Sequence, residues 1–226
     1  MLRAIVFDFD GVIANSEPLH FRAFRDALAG CSIELSEDDY YARYLGYDDL
    51  GAFRAIARDR ARILSAHDLD RLMADKAARM EALEAVDSVL FPGAAEAIRR
   101  AAAAVPIAIA SGALGAEIRR VLDGADLTRY FAAIVAAEDT PASKPAPDPY
   151  QRAVALLSSV MREPGLPPAD CVAVEDSRWG IASARAAGLR TVGVTSSYGA
   201  EELSDADVVI GSLADLDLAS LQRLLF

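Results

Sequence analysis

Short apolar segments alternate with longer amphipathic stretches along most of the chain. Six of these segments are apolar or β-branched and are bounded by glycine, proline, serine or aspartate, which is typical of buried strands. The predicted strands cover residues 4–7, 106–110, 133–136, 172–174, 191–194 and 208–210. Stretches between them, such as 94–103 and 149–157, suit helices. This alternation predicts an α/β fold in which helices cover both faces of a parallel sheet.

The pattern changes between residue 16 and about residue 88, where no strand is evident. Four helices are predicted in this stretch. Ser16 and Ser36 are candidate N-caps of the first two helices. The third and fourth helices are predicted over 50–64 and 69–83, which are rich in good helix formers.

The length of 226 residues allows one domain with a sizeable insertion. We therefore predict a sheet domain formed by 1–15 and 89–226, and an all-helical domain formed by 16–88. An insert with two closely placed connections can move as a lid. Apolar residues make up 53% of the chain and charged residues 25%, which indicates a globular protein and not a disordered one.

The formal net charge of −11 argues against binding to nucleic acid or to an anionic membrane, both of which require a basic surface. Cys31 and Cys171 lie too far apart in sequence to indicate a disulfide framework. The N-terminus becomes acidic at Asp8, too early for a signal peptide. The longest apolar run, 101–110, is shorter than the ~18 residues of a membrane span. We expect a cytoplasmic monomer.

Two aspartates, Asp8 and Asp10, follow the first predicted strand and precede Gly11. Residues two apart in a strand point the same way, so both carboxylates can converge on the crevice where such sheets bind ligands. Because neighbouring carboxylates repel, one of them holds a proton or a cation lies nearby. One acid could attack a substrate while the other handles protons. The alternative is an ordinary turn, since Asp and Gly are common turn residues.

A second acidic pair, Glu175 and Asp176, follows the predicted strand 172–174. Together with Asp8 and Asp10, this pair offers hard oxygen ligands that suit Mg²⁺. Acidic residues at this position could instead cap the following helix. Because two acidic pairs end two strands, we favour a metal site.

Two further polar segments follow predicted strands. Ser111-Gly112 is predicted to open a helix, whose free N–H groups and serine hydroxyl could cradle an anion; the alternative is an ordinary N-cap. Lys144, one of only two lysines, precedes Pro145 in a proline-rich loop. This lysine could neutralise the carboxylates and hold a phosphate oxygen, or it could be a solvated loop residue.

No GxGxxG, GxxxxGK[ST], GxSxG or CxxC motif is present. The elements that are present occur in the order DxDGV, SG, KP with a following PD, and EDS. This set resembles the haloacid dehalogenase superfamily, and the helical insert is similar to that superfamily's first cap class. The nearest likeness is to β-phosphoglucomutase-like and phosphoglycolate phosphatase-like members. The resemblance covers essentially the whole chain and implies a three-layer Rossmann-like core with a small helical cap.

The resemblance also implies catalytic roles. Asp8 would be the nucleophile that takes the phosphoryl group, and Asp10 would be the general acid and base. Ser111 would hold the transferring phosphate, and Lys144 would balance its charge. These roles suit phosphoryl transfer, in which catalysis consists mostly of positioning and charge neutralisation.

Mg²⁺ is the cofactor that the resemblance implies. Asp8, the main-chain carbonyl of Asp10, and Asp176 would hold the ion. Glu175 would support the site directly or through metal-bound water. The implied activity is Mg²⁺-dependent hydrolysis of a small phosphorylated metabolite, such as a sugar phosphate, through an aspartyl-phosphate on Asp8. Dehalogenation is disfavoured because dehalogenases of this family lack the second acid that Asp10 supplies.

A loop of the insert bears on the choice between phosphatase and mutase. Similar mutases place basic residues around a glycine there, to grip the second phosphate of a sugar bisphosphate. In this chain Leu45 precedes Gly46, and Asp48 and Asp49 follow it, which departs from the mutase pattern. His20 matches a cap-hinge histidine of the mutase-like group and keeps that alternative open, although a helix-surface histidine is an equal interpretation.

Residues that select the substrate are expected in the insert and beside the phosphate site. The candidates are Gly112, His20, Arg43, Tyr44, Tyr47 and Asp48. Ordinary helix-end surface is the alternative for each residue of the insert. A non-catalytic binding module on the same fold is a further alternative, and the presence of both Asp8 and Asp10 argues against it.

Overall fold

The computed structural model describes residues 1–45, 47–84, 89–161 and 165–225. The chain divides into two compact units, one formed by Met1–Asn15 with Leu90–Phe226 and the other by Ser16–Val89. Two positions used in the sequence analysis, Gly46 and the predicted end of the insert at residue 88, lie outside the described residues. None of the described helices is both long enough and apolar enough to cross a membrane.

The insert consists of helices, as its sequence predicts. Its helices are α1 (Glu17–Ala29), α2 (Glu37–Asp39), α3 (Asp49–Asp59) and α4 (Ala66–Glu84), and a π-helical turn, Tyr40–Tyr44, follows α2. Phe24 and Phe53, from α1 and α3, pack edge to face with ring centroids 4.9 Å apart. Aromatic and aliphatic side chains from α1, α3, α4 and the π-helical turn form a core of the insert's own.

One of the two predicted N-caps of the insert is confirmed, and the other is not. α1 does begin after Ser16, but the Ser16 side chain makes no capping hydrogen bond. Ser36 does cap, since its hydroxyl accepts a hydrogen bond from the Asp39 N–H at 3.2 Å. The helix that it starts is only one turn long before the backbone widens into the π-helical turn.

The second unit contains one parallel sheet, which confirms the predicted fold class. Its strands are β1 (Ala4–Phe7), β2 (Ile107–Ala110), β3 (Phe131–Val135), β4 (Cys171–Glu175), β5 (Arg190–Val194) and β6 (Val208–Ile210). Their order across the sheet is β3-β2-β1-β4-β5-β6. Every pairing is parallel. Strands β1, β2 and β4 are buried throughout, because the sheet covers their edges and side chains cover both faces.

The helices of this unit lie between successive strands or after the last one. They are α5 (Ala94–Ala104), α6 (Gly115–Gly124), α7 (Asp148–Val160), α8 (Arg178–Ala186) and α9 (Leu218–Leu225). Tyr150, Val154 and Leu157, on one face of α7, pack with residues of β1, β2 and β4. This packing fixes the start of α7, and therefore the loop before it, against the centre of the sheet.

Candidate active site

Asp8 occupies the central position at the carboxyl end of the sheet. It follows β1, which has β2 on one side and β4 on the other. Phe7 is in register with both Ile109 and Val174, so the residues that follow these three strands lie side by side. The Asp8 N–H donates to the Val174 carbonyl at 2.9 Å, and the Asp8 residue is only 8% exposed.

Three carboxylates meet at this point. Asp8, Glu175 and Asp176 each offer an oxygen, and these oxygens all lie within 4.8 Å of one another. All three residues are buried. Asp10 is only half-buried and is not a member of this group.

Lys144 provides the cation that faces these acids. Its Nζ lies 2.9 Å from Asp8 Oδ1 and 2.5 Å from Glu175 Oε1. Lys144 belongs to the loop before α7, and its side chain is 13% exposed. The prediction that a lysine of the proline-rich loop reaches the carboxylates agrees with this placement.

The Glu175 carboxylate is occupied by donors of the chain itself. Besides the contact with Lys144, Oε1 accepts a hydrogen bond from the Tyr150 hydroxyl at 2.7 Å, and Oε2 accepts one from the Ser177 hydroxyl at 3.2 Å. Gly180, in the first turn of α8, leaves the space that this carboxylate fills, since a Cβ there would lie 1.9 Å from Oε1. Glu175 is therefore placed to hold Lys144 in position.

Burial dominates the protonation of the site. Desolvation raises the pKa of Asp8 from 3.8 to about 7, although Lys144 opposes the shift. Burial and the charge of Asp8 raise the pKa of Asp176 well above its usual range. Burial alone would lower the pKa of Lys144, but the charges of Asp8 and Glu175 raise it, so this lysine stays protonated.

The donor set fits a small divalent cation. Three buried carboxylates face a single lysine, so negative charge is in excess when all three are ionised. Although Lys144 lies near Asp8 Oδ1, this buried oxygen accepts no hydrogen bond of good geometry from any described residue. An all-oxygen set of this kind suits Mg²⁺. Asp8 and Asp176 are the carboxylates available to hold it, because Glu175 is engaged elsewhere.

The turn after Asp10 depends on glycine. Gly11 has φ of +75°, a left-handed conformation that side chains disfavour. A Cβ on Gly11 would also lie only 1.8 Å from Asp176 Oδ2. Glycine is therefore required both by the backbone and by the close approach of Asp176.

The Ser111-Gly112 segment differs from its prediction, because α6 begins only at Gly115. The Ser111 hydroxyl accepts a hydrogen bond from the Ala113 N–H at 3.1 Å and so closes a separate turn before the helix. The Gly115 N–H at the start of α6 donates to Glu138 Oε1 at 3.1 Å. A phosphate cradle would therefore be built from the loop after β2, and not from the helix terminus. The space beside Gly112 is open, since a Cβ there would meet no atom within 4 Å.

The predicted substrate-selecting residues of the insert have different surroundings. Arg43 is paired with Asp59 at 2.6 Å, and its guanidinium lies over the Tyr44 ring. Asp48 caps α3, because its carboxylate accepts a hydrogen bond from the Gly51 N–H at 2.6 Å. Tyr47 is 52% exposed. Of these residues, Tyr47 is exposed and, unlike Arg43 and Asp48, is not engaged in an ion pair or a helix cap.

His20 does not behave as a helix-surface histidine. Its Nδ1 lies 2.9 Å from Lys76 Nζ. Burial and the charge of Lys76 lower the pKa of His20 to about 3, so the ring is neutral and Nδ1 accepts from the ammonium. Lys76 is 1% exposed, and its Nζ also lies 2.8 Å from Asp49 Oδ2.

Several contacts of the structure were not predicted from the sequence. Tyr150 and Gly180 lie against Glu175 and belong to no motif, while Ser177 is the serine of the EDS motif whose contact with Glu175 was not predicted. Lys76 is buried against His20 in the insert, and the scarcity of lysine in this chain was the one available signal.

Comparison with known proteins places the chain in a family. The family model of haloacid dehalogenase-like hydrolases matches residues 2–188. Protein CbbY of Rhodobacter capsulatus is 35% identical over 99% of this chain and 97% of the relative. Fructose-1-phosphate phosphatase YqaB of Escherichia coli is 30% identical over 84% of this chain and 95% of the relative.

A solved structure extends the likeness to three dimensions. A mutant of CbbY from Rhodobacter sphaeroides in complex with xylulose-(1,5)bisphosphate superposes with a TM-score of 0.84. It is 28% identical to this chain, and the match covers 98% of this chain and 99% of that one. The resemblance inferred from the four motifs is thereby confirmed, and the chain belongs to the haloacid dehalogenase-like hydrolases.

Proposed function

We propose that this chain is a Mg²⁺-dependent phosphatase of small sugar phosphates that works through a phosphorylated Asp8. The observation that carries the proposal is the buried Asp8 carboxylate, paired with Lys144 inside a group of three acids. The relatives supply the substrate class. One is named a fructose-1-phosphate phosphatase, and the CbbY structure holds a pentulose bisphosphate.

In the first half-reaction, an Asp8 carboxylate oxygen attacks the phosphorus atom of the ester. A new O–P bond forms on Asp8 while the bond from phosphorus to the sugar oxygen breaks. Asp10 donates a proton to that leaving oxygen, so the sugar departs as a neutral alcohol. Asp10 is suited to this work because it is half-buried near Asp8 and outside the three-carboxylate group.

In the second half-reaction, water attacks the phosphorus atom of the aspartyl-phosphate. Asp10, now ionised, accepts the proton of the water. The bond between Asp8 and phosphorus breaks, which releases inorganic phosphate and restores both acids.

Other residues hold the charges in place during both steps. Lys144 neutralises Asp8 and would bind a phosphate oxygen, while Glu175 and Tyr150 fix the lysine. The Ser111 hydroxyl is kept at the end of β2 by its hydrogen bond with the Ala113 N–H and would bind a second phosphate oxygen. Mg²⁺, held by Asp8 and Asp176 with the Asp10 carbonyl, would draw negative charge away from the phosphoryl group. We further propose that the insert selects the leaving group, with Tyr47 as the principal candidate.

The direct test is phosphate release from a panel of hexose 1-phosphates, hexose 6-phosphates, pentulose phosphates and 2-phosphoglycolate. We expect at least one sugar phosphate to be hydrolysed with Mg²⁺ and the rate to disappear in EDTA. Hydrolysis that continues undiminished after chelation would contradict the metal dependence. Formation of an isomeric sugar phosphate in place of free phosphate would identify a mutase.

The nucleophile is tested with Asp8→Asn, which keeps the shape of the side chain but removes its charge. We expect kcat for the best sugar phosphate to fall by a factor of about 10³ or more, since the nucleophilic oxygen is lost. Asp170→Asn is the matched control, because Asp170 is a surface acid of the same unit that pairs with the N-terminus. A near-normal rate in Asp8→Asn would exclude Asp8 as the nucleophile.

A further inference from the structure

The segment that follows β5 lies against three places: the turn after Asp10, the Asp176 carboxylate and the first turn of α8. We call Thr195–Tyr198 the serine loop. It is anchored at its start, where the Thr195 N–H donates to the Ile210 carbonyl at 3.1 Å. Because β5 lies beside β4, with Gly193 in register with Glu175, the serine loop begins next to the acids that end β4.

The first contact fixes the turn after Asp10. The Ser196 hydroxyl donates a hydrogen bond to the Gly11 carbonyl, across 185 residues of sequence. The second contact concerns Asp176. A Cβ on Gly11 would lie 1.8 Å from Asp176 Oδ2 and 3.0 Å from Ser197 Oγ, so both oxygens crowd the same side of the Gly11 turn.

The third contact is aromatic. Tyr198 meets Trp179 edge to face, with ring centroids 5.9 Å apart. Trp179 lies in the first turn of α8, three residues after Asp176. The serine loop is therefore attached on both sides of Asp176, to the turn after β1 and to the start of α8.

We propose that Ser197 is a positioning residue that holds the Asp176 carboxylate against the Gly11 turn, with Ser196 and the Tyr198–Trp179 pair keeping the serine loop in place. The proposal rests on the metal site of the proposed function, because it concerns the orientation of one of the expected ligands. Its physical basis is general: a metal-binding carboxylate that is fixed by a hydrogen bond loses less freedom when the metal binds.

The test measures Mn²⁺ binding to the metal-free full chain, with free Mn²⁺ counted by its paramagnetic resonance signal. Ser197→Ala should raise the Kd for Mn²⁺ by about tenfold, a usual effect of losing a hydrogen bond to a metal ligand. Ser197→Thr keeps the hydroxyl and should stay within about twofold of the wild type. Ser220→Ala is the matched control, because Ser220 donates to Asp217 at the start of α9, an exposed serine–aspartate pair in the same unit.

Two further readouts separate positioning from loss of folding. The Mg²⁺ concentration for half-maximal rate should rise in Ser197→Ala by the same factor as the Kd for Mn²⁺, while kcat at saturating Mg²⁺ and Tm stay close to those of the wild type. Trp179 is the only tryptophan of the chain, so a change in its emission on adding metal reports the same site.

Asp176→Asn makes the possible failures distinguishable. If Asp176→Asn loses Mn²⁺ binding and Ser197→Ala binds like the wild type, the positioning role is overturned and the metal site stands. If Asp176→Asn binds Mn²⁺ as tightly as the wild type, the metal site of the proposed function is overturned and the positioning role falls with it.

Discussion

Asp8 is a buried carboxylate with other carboxylates beside it, and both conditions disfavour its ionised form. It shares a buried volume with Glu175 and Asp176, and Lys144 is the cation that contacts it. Burial raises the pKa of Asp8 from 3.8 to about 7. The native chain therefore holds a proton on Asp8 between about pH 4 and pH 7, whereas the unfolded chain does not. This contribution to stability is fully present below pH 3.8 and is lost as the pH rises through about 7.

The sign of this effect gives a prediction for Asp8→Asn in EDTA. An amide resembles the protonated acid, so the excess of the variant's Tm over that of the wild type should grow by roughly 3 °C or more between pH 5 and pH 8. Saturating Mg²⁺ at pH 8 should raise the Tm of the wild type more than that of the variant, since binding stabilises the state that binds. Thermal unfolding at the two pH values measures both effects. An excess that does not grow between pH 5 and pH 8 in EDTA would contradict this account of the charges.

At the same scale, the sequence located some residues of the site and not others. Asp8, Lys144, Glu175 and Asp176 were found because each lies at or after the end of a predicted strand and because motifs mark them. Tyr150 and the contact of Ser177 with Glu175 were not predicted, because both depend on side-chain direction and helix packing. The spacing of polar residues along the sequence does not show which way a side chain points or how a helix packs.

The first turn of α8 is shaped around the Glu175 carboxylate. Ser177 caps this helix, with its hydroxyl accepting from the Gly180 N–H at 3.1 Å. The missing side chain of Gly180 leaves room for Glu175, because a Cβ would overlap the carboxylate at 1.9 Å. A helix glycine is usually unfavourable by about 1 kcal/mol relative to alanine, so the space explains its use here.

Gly180→Ala should therefore displace Glu175 and, through it, Lys144. We expect a loss of activity of at least about tenfold, together with a lower Tm, since a buried ion pair is disturbed. Gly124→Ala is the matched control in α6, where a Cβ would meet no atom within 4 Å. That change should leave activity unaltered and stabilise the chain by up to about 1 kcal/mol. Equal behaviour of the two variants in activity and Tm would show that Gly180 does not position Glu175.

The boundaries of the strands were easier to predict from the sequence than the ends of the helices. The strands were predicted closely, because buried parallel strands are short apolar runs with turn residues at both ends. The predicted end of α3, at residue 64, was wrong, because the helix stops at Asp59. Ala61 adopts φ of +51°, and the Arg62 N–H bonds to the Ala57 carbonyl, which closes the helix without a glycine. Ser32 and Asp126 adopt the same left-handed conformation after α1 and α6, a position that glycine usually takes.

At the scale of the whole molecule, each of the two units has its own apolar core, and each is proposed to have its own role. The residues proposed to handle phosphate lie in the unit formed by Met1–Asn15 and Leu90–Phe226. The unit Ser16–Val89 has its own apolar core. It contains the side chains that are proposed to select the leaving group. The break in strand–helix alternation made this division visible in the sequence. The polar interior around Lys76 was not visible, because Lys76 of α4 meets partners from two other helices, His20 of α1 and Asp49 of α3.

If one unit binds the phosphate and the other selects the leaving group, variants of the two units should change the rates in different ways. Tyr47→Ala should reorder kcat/KM among sugar phosphates by about tenfold or more, because an exposed aromatic side chain can stack on or hydrogen-bond to a sugar. Methyl phosphate offers no sugar to recognise, so its hydrolysis should change less than about twofold.

Ser111→Ala should instead slow every ester by a similar factor, because all of them share the phosphate that Ser111 is proposed to bind. Asp48 is a poor probe, since its carboxylate caps α3 and its removal would cost about 1 kcal/mol of stability. Ile63→Ala is the control for the insert, because Ile63 is 99% exposed in the loop after α3. If Tyr47→Ala slows methyl phosphate and all sugar phosphates by one common factor, Tyr47 acts on the shared chemistry and the insert does not select the leaving group through it.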